Sequence, residues 1–299
     1  MDGKNILFEE LPCKDQKLSF EILHRKLKEN IQIENFNQDT LKTLNLYDDV
    51  NGFNNAAGLL ADKNHFPGID TIKFGENISI IQKRSTFENI SVLEVYDKAI
   101  DVFRDYYQYE AIQGADRQKI EKIPEAAFRE AIANALIHRV WDVDSQIRVS
   151  MFDDRLEIVS PGGLPSGITE EEYLSGKLPV LRNRNLANVF YRLGFVETFG
   201  TGITRIKQLY AEGLIKPDFE ISENAIKIVL PIFEKSADLT EDEIVIYKLL
   251  SKTMLKPISE IAPYAPFGKS KTAKLLKEMC QKGVITAKGN GKGTKYIIR

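Results

Sequence analysis

The sequence is poor in the residues that cross-link small proteins or bind metals. Its 299 residues include two cysteines, Cys13 and Cys280, and three histidines that occur singly along the chain. Cysteines this far apart and without CxxC spacing exclude a disulfide framework and a zinc knuckle. We therefore expect no structural metal site.

Long apolar runs are also missing. No stretch approaches the ~18 consecutive apolar residues that a membrane-spanning helix requires. The opening segment Met1–Asn5 lacks the basic and apolar parts of a signal peptide. With 43% hydrophobic and 28% charged residues, the composition is that of a globular protein. We expect a soluble, cytoplasmic protein with no membrane partner.

Charge is distributed unevenly along the chain. The segment from Met254 to Arg299 holds ten lysines and arginines against two glutamates, a net charge of +8, whereas the whole chain has a net charge of −2. A basic end on an acidic body predicts a partner that presents phosphates at that end.

Hydrophobic periodicity predicts the elements before residue 231. Strands are predicted between Asp70 and Ile81, with a turn at Gly75–Asn77, and in the hairpin formed by Gln146–Phe152 and Leu156–Val159. A further strand is predicted at Ala225–Leu230. Helices are predicted at Lys14–Glu29, Gln38–Leu44, Asn54–Ala61, Val92–Tyr107, Glu125–Arg139, Leu186–Leu193 and Ile203–Glu212.

The last part of the chain has a different order of elements. After a predicted linker at Pro231–Asp238, three short helices precede two strands that are joined by a glycine-rich turn. That order is typical of a winged helix. The helices are expected at Glu241–Lys252, Ile258–Ala262 and Ser270–Gln281, and the strands at Val284–Ala287 and Lys295–Ile298.

One helix in the middle of the chain carries candidate chemistry. Glu130 and Asn134 are four residues apart, so their side chains emerge one turn from each other on the same face, and His138 and Arg139 continue that face. A carboxylate that orients water beside an amide that binds Mg²⁺ suits phosphoanhydride chemistry. The alternative is two polar residues on a solvated helix face.

Glycines further along the chain are the second candidate feature. Gly200-Thr201-Gly202 precedes the helix predicted at Ile203, and glycines there let backbone N–H groups approach a phosphate at the helix N-terminus. The alternative is that these glycines only form a turn before the helix.

These motifs together resemble a bacterial family. The motifs are Glu130–Arg139, Ser160–Pro165, Arg182-Asn183 and Glu197–Ile203. Family members are described as RecG-like ATP-dependent DNA helicases or as transcriptional regulators. Their central module looks like a divergent relative of the ATPases of gyrase, Hsp90, histidine kinases and MutL. The resemblance covers about residues 54–230.

The resemblance implies a fold, two cofactors and a set of site residues. The fold is α+β, a two-layer α/β sandwich of the gyrase/Hsp90 ATPase type followed by a winged helix, and the cofactors are ATP and Mg²⁺. Glu130 matches the general base and Asn134 the magnesium ligand, while residues 166–199 match the lid. The resemblance also implies two glycine boxes that bind the nucleotide. The first is Gly162 and Gly163, and the second is Gly200, Thr201 and Gly202. The remaining implied nucleotide-binding residues are His138, Arg139, Arg182 and Asn183.

The chain departs from the family pattern in two places. The aspartate that contacts the adenine amino group in the wider superfamily is replaced here, at the nearest position, by Ser160. Family members usually begin with a Schlafen-type AlbA-like domain, whereas this chain opens at Phe8–Pro12, which is typical of a linker. We expect three parts: residues 1–115 packed on the ATP-binding module, residues 116–235 as that module, and residues 236–299 as the winged helix.

The basic end predicts contact with double-stranded DNA. On the helix Ser270–Gln281, the residues Ala273, Leu276, Met279 and Cys280 are expected to face the core. The opposite face and the following ribbon would then contact phosphates; a solvated lysine face on a protein-binding winged helix is the alternative. The expected DNA contacts are Ser270, Lys271, Lys274, Lys277, Gln281, Lys288, Lys292 and Lys295.

Three functional classes are compatible with these features. They are a DNA-binding transcriptional regulator with a nucleotide-binding module, a DNA-acting ATPase, and an interaction protein whose ATPase fold has lost its ligand. A helicase motor is not expected, because the nearest P-loop match, Gly268-Lys269-Ser270, has Pro263 where the first glycine should stand. A homodimer is compatible with paired DNA half-sites.

Overall fold

The computed structural model describes residues 7–113, 116–176, 180–196, 200–233, 239–251 and 253–298. The chain forms two compact units. The first contains Met1–Ala211 and Lys216–Ile232, and the second contains Glu212–Ile215 and Phe233–Arg299. The first unit holds the strands on both sides of the expected boundary at residue 115.

The first unit combines helices with a mixed sheet. Its helices are α1 Glu21–Ile31, α2 Gln38–Thr43, α3 Asn55–Leu60, α4 Val92–Tyr107, α5 Glu125–His138, α6 Glu170–Ser175, α7 Arg184–Arg192 and α8 Gly202–Leu209. Its strands are β1 Tyr47–Asp48, β2 Gly52–Phe53, β3 Ile69–Phe74, β4 Ile81–Phe87, β5 Gln108–Gln113, β6 Asp116–Glu121, β7 Ile147–Met151, β8 Arg155–Pro161, β9 Asp218–Ile221 and β10 Ala225–Pro231.

Six strands form the main sheet, in the order β4-β3-β7-β8-β10-β9. Only β3 and β7 pair in parallel among the described strands, with Ile69 opposite Ile147. The chain between them contains α4, the β5–β6 hairpin and α5. This long connection delivers α5 to the sheet, as a parallel crossover requires.

Alternating burial shows which sheet face is covered. On β8, Leu156, Ile158 and Ser160 are buried, whereas the residues between them are partly exposed. Ile158 lies opposite Ile228 of β10 in the sheet register. Helix α5 packs against β8 and β10, and also against α4, α7 and α8. The fold is thus an α+β arrangement in which α5 lies over one face of the sheet.

Helix α1 begins later than the predicted Lys14–Glu29. The Asp62 carboxylate accepts hydrogen bonds from the backbone N–H groups of Glu21 and Ile22, which fixes the helix start at residue 21. Residues 14–20 are not helical, and Gln16 there exchanges hydrogen bonds with the backbone of Phe53. The prediction failed because these partners are distant in sequence.

Two strand predictions also needed correction. The second strand predicted before Ile81 instead starts at that residue, as β4, and Ile78 is 71% exposed in the connecting loop. The hairpin β5–β6 was not predicted. Its strands pair from Gln108 opposite Glu121, and they have few apolar residues in alternation, the signal on which strand prediction depends.

A buried carboxylate joins the start of the described chain to α7. Glu9 is fully buried and accepts hydrogen bonds from the backbone N–H groups of Asn185 (2.9 Å) and Leu186 (3.2 Å). Burial raises its pKa, while these hydrogen bonds act in the opposite direction. Glu9 therefore satisfies N–H groups that the first turn of a helix leaves without partners.

The second unit has its own small core. Its elements are α9 Glu241–Leu249, β11 Lys256–Pro257, α10 Ile258–Ile261, α11 Lys269–Gln281, β12 Ile285–Lys288 and β13 Lys295–Ile298. The strands form an antiparallel sheet in the order β11-β13-β12. Ile246, Ile261, Leu276 and Met279 are fully buried in the core.

Helix α11 is rotated relative to the sequence prediction. Thr272, Leu275, Leu276 and Met279 are buried, whereas Ala273 is exposed, so its predicted place in the core was wrong. The buried positions follow the i, i+3, i+4, i+7 pattern of an amphipathic helix. Leu275 therefore faces the core and Ala273 faces solvent.

Candidate functional site

Helix α5 positions the two residues with the strongest chemical signal. It is buried on most of its surface, and Glu130 is only 7% exposed, so a solvated helix face does not describe it. The Asn134 side-chain amide donates to the Glu130 carboxylate over 3.5 Å. The amide nitrogen thus points to Glu130, which turns the amide oxygen away from it.

Gly202 lies directly against this pair. A Cβ atom at Gly202 would stand 2.4 Å from Asn134 Nδ2 and 2.5 Å from Glu130 Oε1. A side chain at this position would displace the ends of the Asn134 and Glu130 side chains, so the glycine permits their close approach. Gly202 of the second glycine box therefore lies against the Glu130/Asn134 pair. Thr201 is exposed beside Gly202.

Two small cavities lie next to Asn134. One, of about 10 Å³, is lined by sheet residues of β8 and β10 and by Gly162. The other, of about 40 Å³, is lined by Gly200, Gly202 and Ile203 on one side and by Gly176 and Leu181 on another. Both cavities share Asn134, His138 and Tyr173.

His138 is one turn beyond Asn134 and lines both cavities. Burial, together with the nearby Arg182 guanidinium, lowers its pKa to about 4, so the imidazole is neutral at pH 7. Among the described residues, its buried Nδ1 atom has no hydrogen-bond partner. A buried ring nitrogen of this kind is suited to a polar group of a ligand.

Tyr173 of α6 covers the cavities. Its ring centroid lies 6.5 Å from that of His138, in an edge-to-face arrangement, and burial raises its pKa to about 12. Gly176, directly after α6, packs closely against the second glycine box, because a Cβ there would be 2.2 Å from the Gly200 carbonyl oxygen. Lys207 of α8 donates to the Leu174 carbonyl. Part of the expected lid is thus a helix seated on the site.

The first glycine box, Gly162 and Gly163, borders the smaller cavity through Gly162. Gly162 has a φ of +102°, a conformation that favours glycine, and its N–H donates to the Asn224 carbonyl. A Cβ there would be 2.4 Å from Val140 and 2.5 Å from Arg182. A Cβ at Gly163 would be 2.3 Å from the carbonyl oxygen of Glu223. Both glycines therefore permit close backbone packing, and Gly162 also lines a cavity.

Arg182 and Asn183 stabilise the end of α5. Arg182 donates to the carbonyls of His138 and Gly163. Asn183 is buried and donates to the carbonyls of Ile137 (2.7 Å) and Arg139 (3.0 Å). The last carbonyls of a helix have no partners within it, so both residues hold the helix end and the glycine box together.

Arg139 is fully buried and does not line either cavity. It donates to the carbonyls of Pro67, Val143 and Ser145, and its guanidinium lies 4.2 Å from the centroid of the Trp141 ring. Burial lowers its pKa to about 10. The structure therefore uses Arg139 to order the loop between α5 and β7.

Ser160, which the resemblance places nearest to an adenine-contacting aspartate, is buried. It lines the smaller cavity, and its hydroxyl donates to the Ala135 carbonyl over 2.9 Å. The proton of this hydroxyl is therefore committed to the protein backbone.

Sequence reasoning missed Tyr173 and Arg205. Arg205 of α8 lies with its Nη1 atom 3.7 Å from the Glu130 carboxylate. Its signal was available, because it follows Gly202 by three residues and so stands over the start of the same helix. Tyr173 had no comparable signal, since its place depends on how α6 folds back.

A wider cleft in the first unit has a different character. Its volume is about 380 Å³, and its lining includes Glu88, Asp144 and Ser145. It contains neither Glu130 nor Asn134. The carboxylates of Glu88 and Asp144 make it unfavourable for phosphates.

The described residues contain no cluster of three or more His, Cys, Asp or Glu side chains able to hold a metal ion. Magnesium in nucleotide sites is bound largely by phosphate oxygens and water, with one or two protein ligands. Asn134, with Glu130 beside it, fits that limited role. The same part of the chain contains no helix long and apolar enough to cross a membrane.

In the second unit, the expected DNA contacts lie on the surface. Ser270, Lys271, Lys274, Lys277 and Gln281 of α11 are exposed, as are Lys288 and Lys295. The Lys292 side chain lies outside the described residues. Two of the lysines have acidic partners: Lys271 pairs with Asp242 at 2.5 Å and Lys274 with Glu278 at 3.7 Å.

Comparison with protein families identifies the middle of the chain. Residues 144–230 match the family described as "Putative ATP-dependent DNA helicase recG C-terminal". The match supports an ATPase-like domain related to this RecG family. The matched range runs from just before β7 to β10 and contains both glycine boxes. It begins after α5, so Glu130 and Asn134 lie outside it.

One solved structure shares the fold over nearly the whole chain. It is the DIP2311 protein from Corynebacterium diphtheriae, with a TM-score of 0.67 and 21% sequence identity. The alignment covers 98% of this chain and 64% of that protein. At this identity the likeness shows the fold alone. Among proteins with curated descriptions, none matches this chain.

Proposed function

We propose that the first unit binds a magnesium-bound nucleotide and that the second unit binds duplex DNA, so that the protein acts as a nucleotide-responsive DNA-binding regulator. The observation that carries the nucleotide site is the close contact of Gly202 with Glu130 and Asn134, beside cavities that Asn134 and His138 share. The RecG-related match of residues 144–230 supports the same assignment.

Each residue of this site has a defined part in the proposal. Asn134 contributes an amide oxygen to the magnesium ion, while the backbone around Gly200 and Gly202 approaches the phosphates at the start of α8. Glu130 orients and deprotonates a water molecule. When bound, magnesium neutralises phosphate charge and polarises the bond to be cleaved. The neutral His138 ring presents its Nδ1 atom to the nucleobase.

The size of the cavities assigns a role to α6. Nucleotide-sized pockets have volumes of roughly 300–1,000 Å³, far above the 10 and 40 Å³ found here. Tyr173 borders both spaces. We therefore propose that α6 belongs to a lid that moves outward to admit the nucleotide.

The second unit is proposed to be a winged helix. The order α9, α10, α11, β12, β13 has the elements of that motif, with α11 as the recognition helix. Lys288 and Lys295 lie directly opposite each other on paired strands. Like charges at such positions are destabilising, and a phosphate between them would relieve the repulsion. A homodimer that reads paired half-sites is part of the proposal.

Calorimetric titration of the full chain with Mg-ATP tests the nucleotide site. Asn134→Ala should lose the magnesium-dependent part of binding, whereas Glu130→Ala should retain binding and lose any hydrolysis. Asn188→Ala, on α7, is the matched control and should bind normally. If the wild type does not bind Mg-ATP even at saturating concentration, the nucleotide site is overturned and the first unit is an ATPase-like fold that has lost its ligand.

Turnover measured with and without DNA separates the regulator from a DNA-acting ATPase. A regulator should hydrolyse ATP slowly and at a rate that DNA does not change, while nucleotide alters its DNA affinity. Strong stimulation of turnover by DNA would contradict the regulator.

A further inference from the structure

We infer that Arg205 is the residue by which this site distinguishes a nucleoside triphosphate from a diphosphate, an inference that rests on the proposed nucleotide site. Arg205 lies in the first turn of α8, three residues after Gly202. Helical side chains point back toward the N-terminus of their helix. The guanidinium therefore projects toward the glycine box and not along the helix away from it.

The contacts of Arg205 confirm this direction. Its Nη1 atom is 3.7 Å from Glu130 Oε2, and Glu130 in turn contacts Asn134 and the backbone at Gly202. A guanidinium, a carboxylate, an amide and a helix start thus meet at one point. Of the groups at that point, Arg205 brings the positive charge.

The position of Arg205 suits a reader of the terminal phosphate. The Arg205 side chain is 33% exposed, whereas that of Glu130 is 9% exposed. The guanidinium therefore lies at the edge of the site and can change its partner while Glu130 stays buried. A guanidinium presents planar paired N–H donors that match two phosphate oxygens. A terminal phosphate brought to the start of α8 would compete with Glu130 for these donors.

This exchange of partners has a consequence for Glu130. In the arrangement described here, the ion pair with Arg205 holds the Glu130 carboxylate in place. When Arg205 turns to a terminal phosphate, it releases the carboxylate from this pair. A diphosphate has no terminal group to reach Arg205, so the Glu130 pair would persist.

A purely structural role for Arg205 predicts a different result. If Arg205 only compensated the buried charge of Glu130, its removal would weaken triphosphate and diphosphate binding alike. The ratio of the two affinities is therefore the informative quantity. A lysine at this position keeps the charge but loses the paired donors.

The test is calorimetric titration of the full chain with Mg-ATP and with Mg-ADP. Arg205→Gln should weaken ATP binding about 10- to 100-fold, the range for a lost charge-assisted hydrogen bond, and leave ADP binding within about 3-fold by the same reasoning. Arg205→Lys should lie between wild type and the glutamine variant. Arg192→Gln, an exposed arginine at the end of α7, is the matched control and should change neither affinity.

The outcomes separate this inference from the proposed function. Suppose that the wild type binds both nucleotides. If Arg205→Gln then loses affinity for ATP and ADP equally, or for neither, the role of Arg205 is overturned and the nucleotide site stays intact. A wild type that binds neither nucleotide would overturn the site and the inference together. If Arg205→Gln does not fold, the lysine variant carries the same comparison.

Discussion

The two units differ in where the polar residues assigned to their sites lie. In the first unit, Asn183 and Arg139 are buried and donate to backbone carbonyls. In the second, Lys274 and Lys277 stand in solvent on one helix. Polar residues near the site of the first unit therefore form two groups: those that hold its backbone in place and those that face the cavities. In the second unit, exposed charged side chains are directly available to a partner.

This contrast predicts where substitutions will act. Changes among the inward polar residues should alter the stability of the first unit, because unsatisfied buried groups are costly. Changes among the outward lysines should alter binding while the fold is kept. The single tryptophan, Trp141, is 3% exposed and lies in the first unit, so its fluorescence reports the unfolding of that unit alone.

Asn183→Ala should have the largest effect. It removes two hydrogen bonds at the end of α5 and leaves two buried carbonyls without these donors, which costs about 2–4 kcal/mol. Urea unfolding followed by Trp141 fluorescence measures this loss. Asn188→Ala should cost less than about 1 kcal/mol, because within the described ranges the Asn188 side chain accepts a single hydrogen bond, from Arg192 at 3.3 Å. Equal losses for the two variants would contradict the structural role given to Asn183.

Acid should weaken the first unit through His138. Its folded pKa of about 4 lies below the ordinary histidine value of 6.5, so the unfolded chain binds the proton more tightly. The stabilisation is complete above pH 6.5 and is lost as the pH falls toward 4, by at most about 3 kcal/mol, since part of the residue is exposed. Unfolding by urea between pH 4 and 7, in wild type and His138→Leu, isolates this contribution. A constant difference between the two proteins would contradict it.

Tyr173→Ala should loosen the lid without unfolding either unit. The variant loses the ring that covers both cavities, so limited proteolysis within residues 166–176 should be several-fold faster, as local opening requires. Mg-ATP should protect the same segment in the wild type. Tyr191→Ala, at an exposed position of α7, is the control. Cleavage that neither the substitution nor the nucleotide changes would make α6 an ordinary surface helix.

Lys277→Ala should have the smallest effect on the fold. Among the described residues no carboxylate pairs with Lys277, so stability should change by less than about 0.5 kcal/mol. Affinity for duplex DNA should fall alike for all sequences, and the salt dependence should decrease by about one unit. Lys248→Ala on α9 should leave both unchanged. If the full chain fails to bind duplex DNA even at low salt, the second unit is a protein-binding module.

The sequence predicted the elements whose signal is local. The bounds of α4 agree with its amphipathic pattern at both ends, and α5 ends one residue before the predicted Arg139. Helix α8 starts at Gly202, one residue before the predicted Ile203. These features depend on periodicity and spacing, which a single sequence contains.

Features that depend on distant contacts were not predictable in this way. Arg139 and Asn183 were assigned to the nucleotide because they belong to the motif, but their donors go to carbonyls of the loop and of α5. Spacing alone does not show whether a polar side chain turns toward a cavity or toward the backbone. The start of α1 depended on Asp62 for the same reason.

The contact between Glu9 and α7 has a consequence for the order of events during synthesis. The two partners are 176 residues apart, which corresponds to roughly 10–35 s of translation at typical rates. Throughout that interval the carboxylate has no helix to receive it, and the native fold of the first unit cannot be completed. The Glu9 carboxylate must therefore remain hydrated until α7 has emerged from the ribosome.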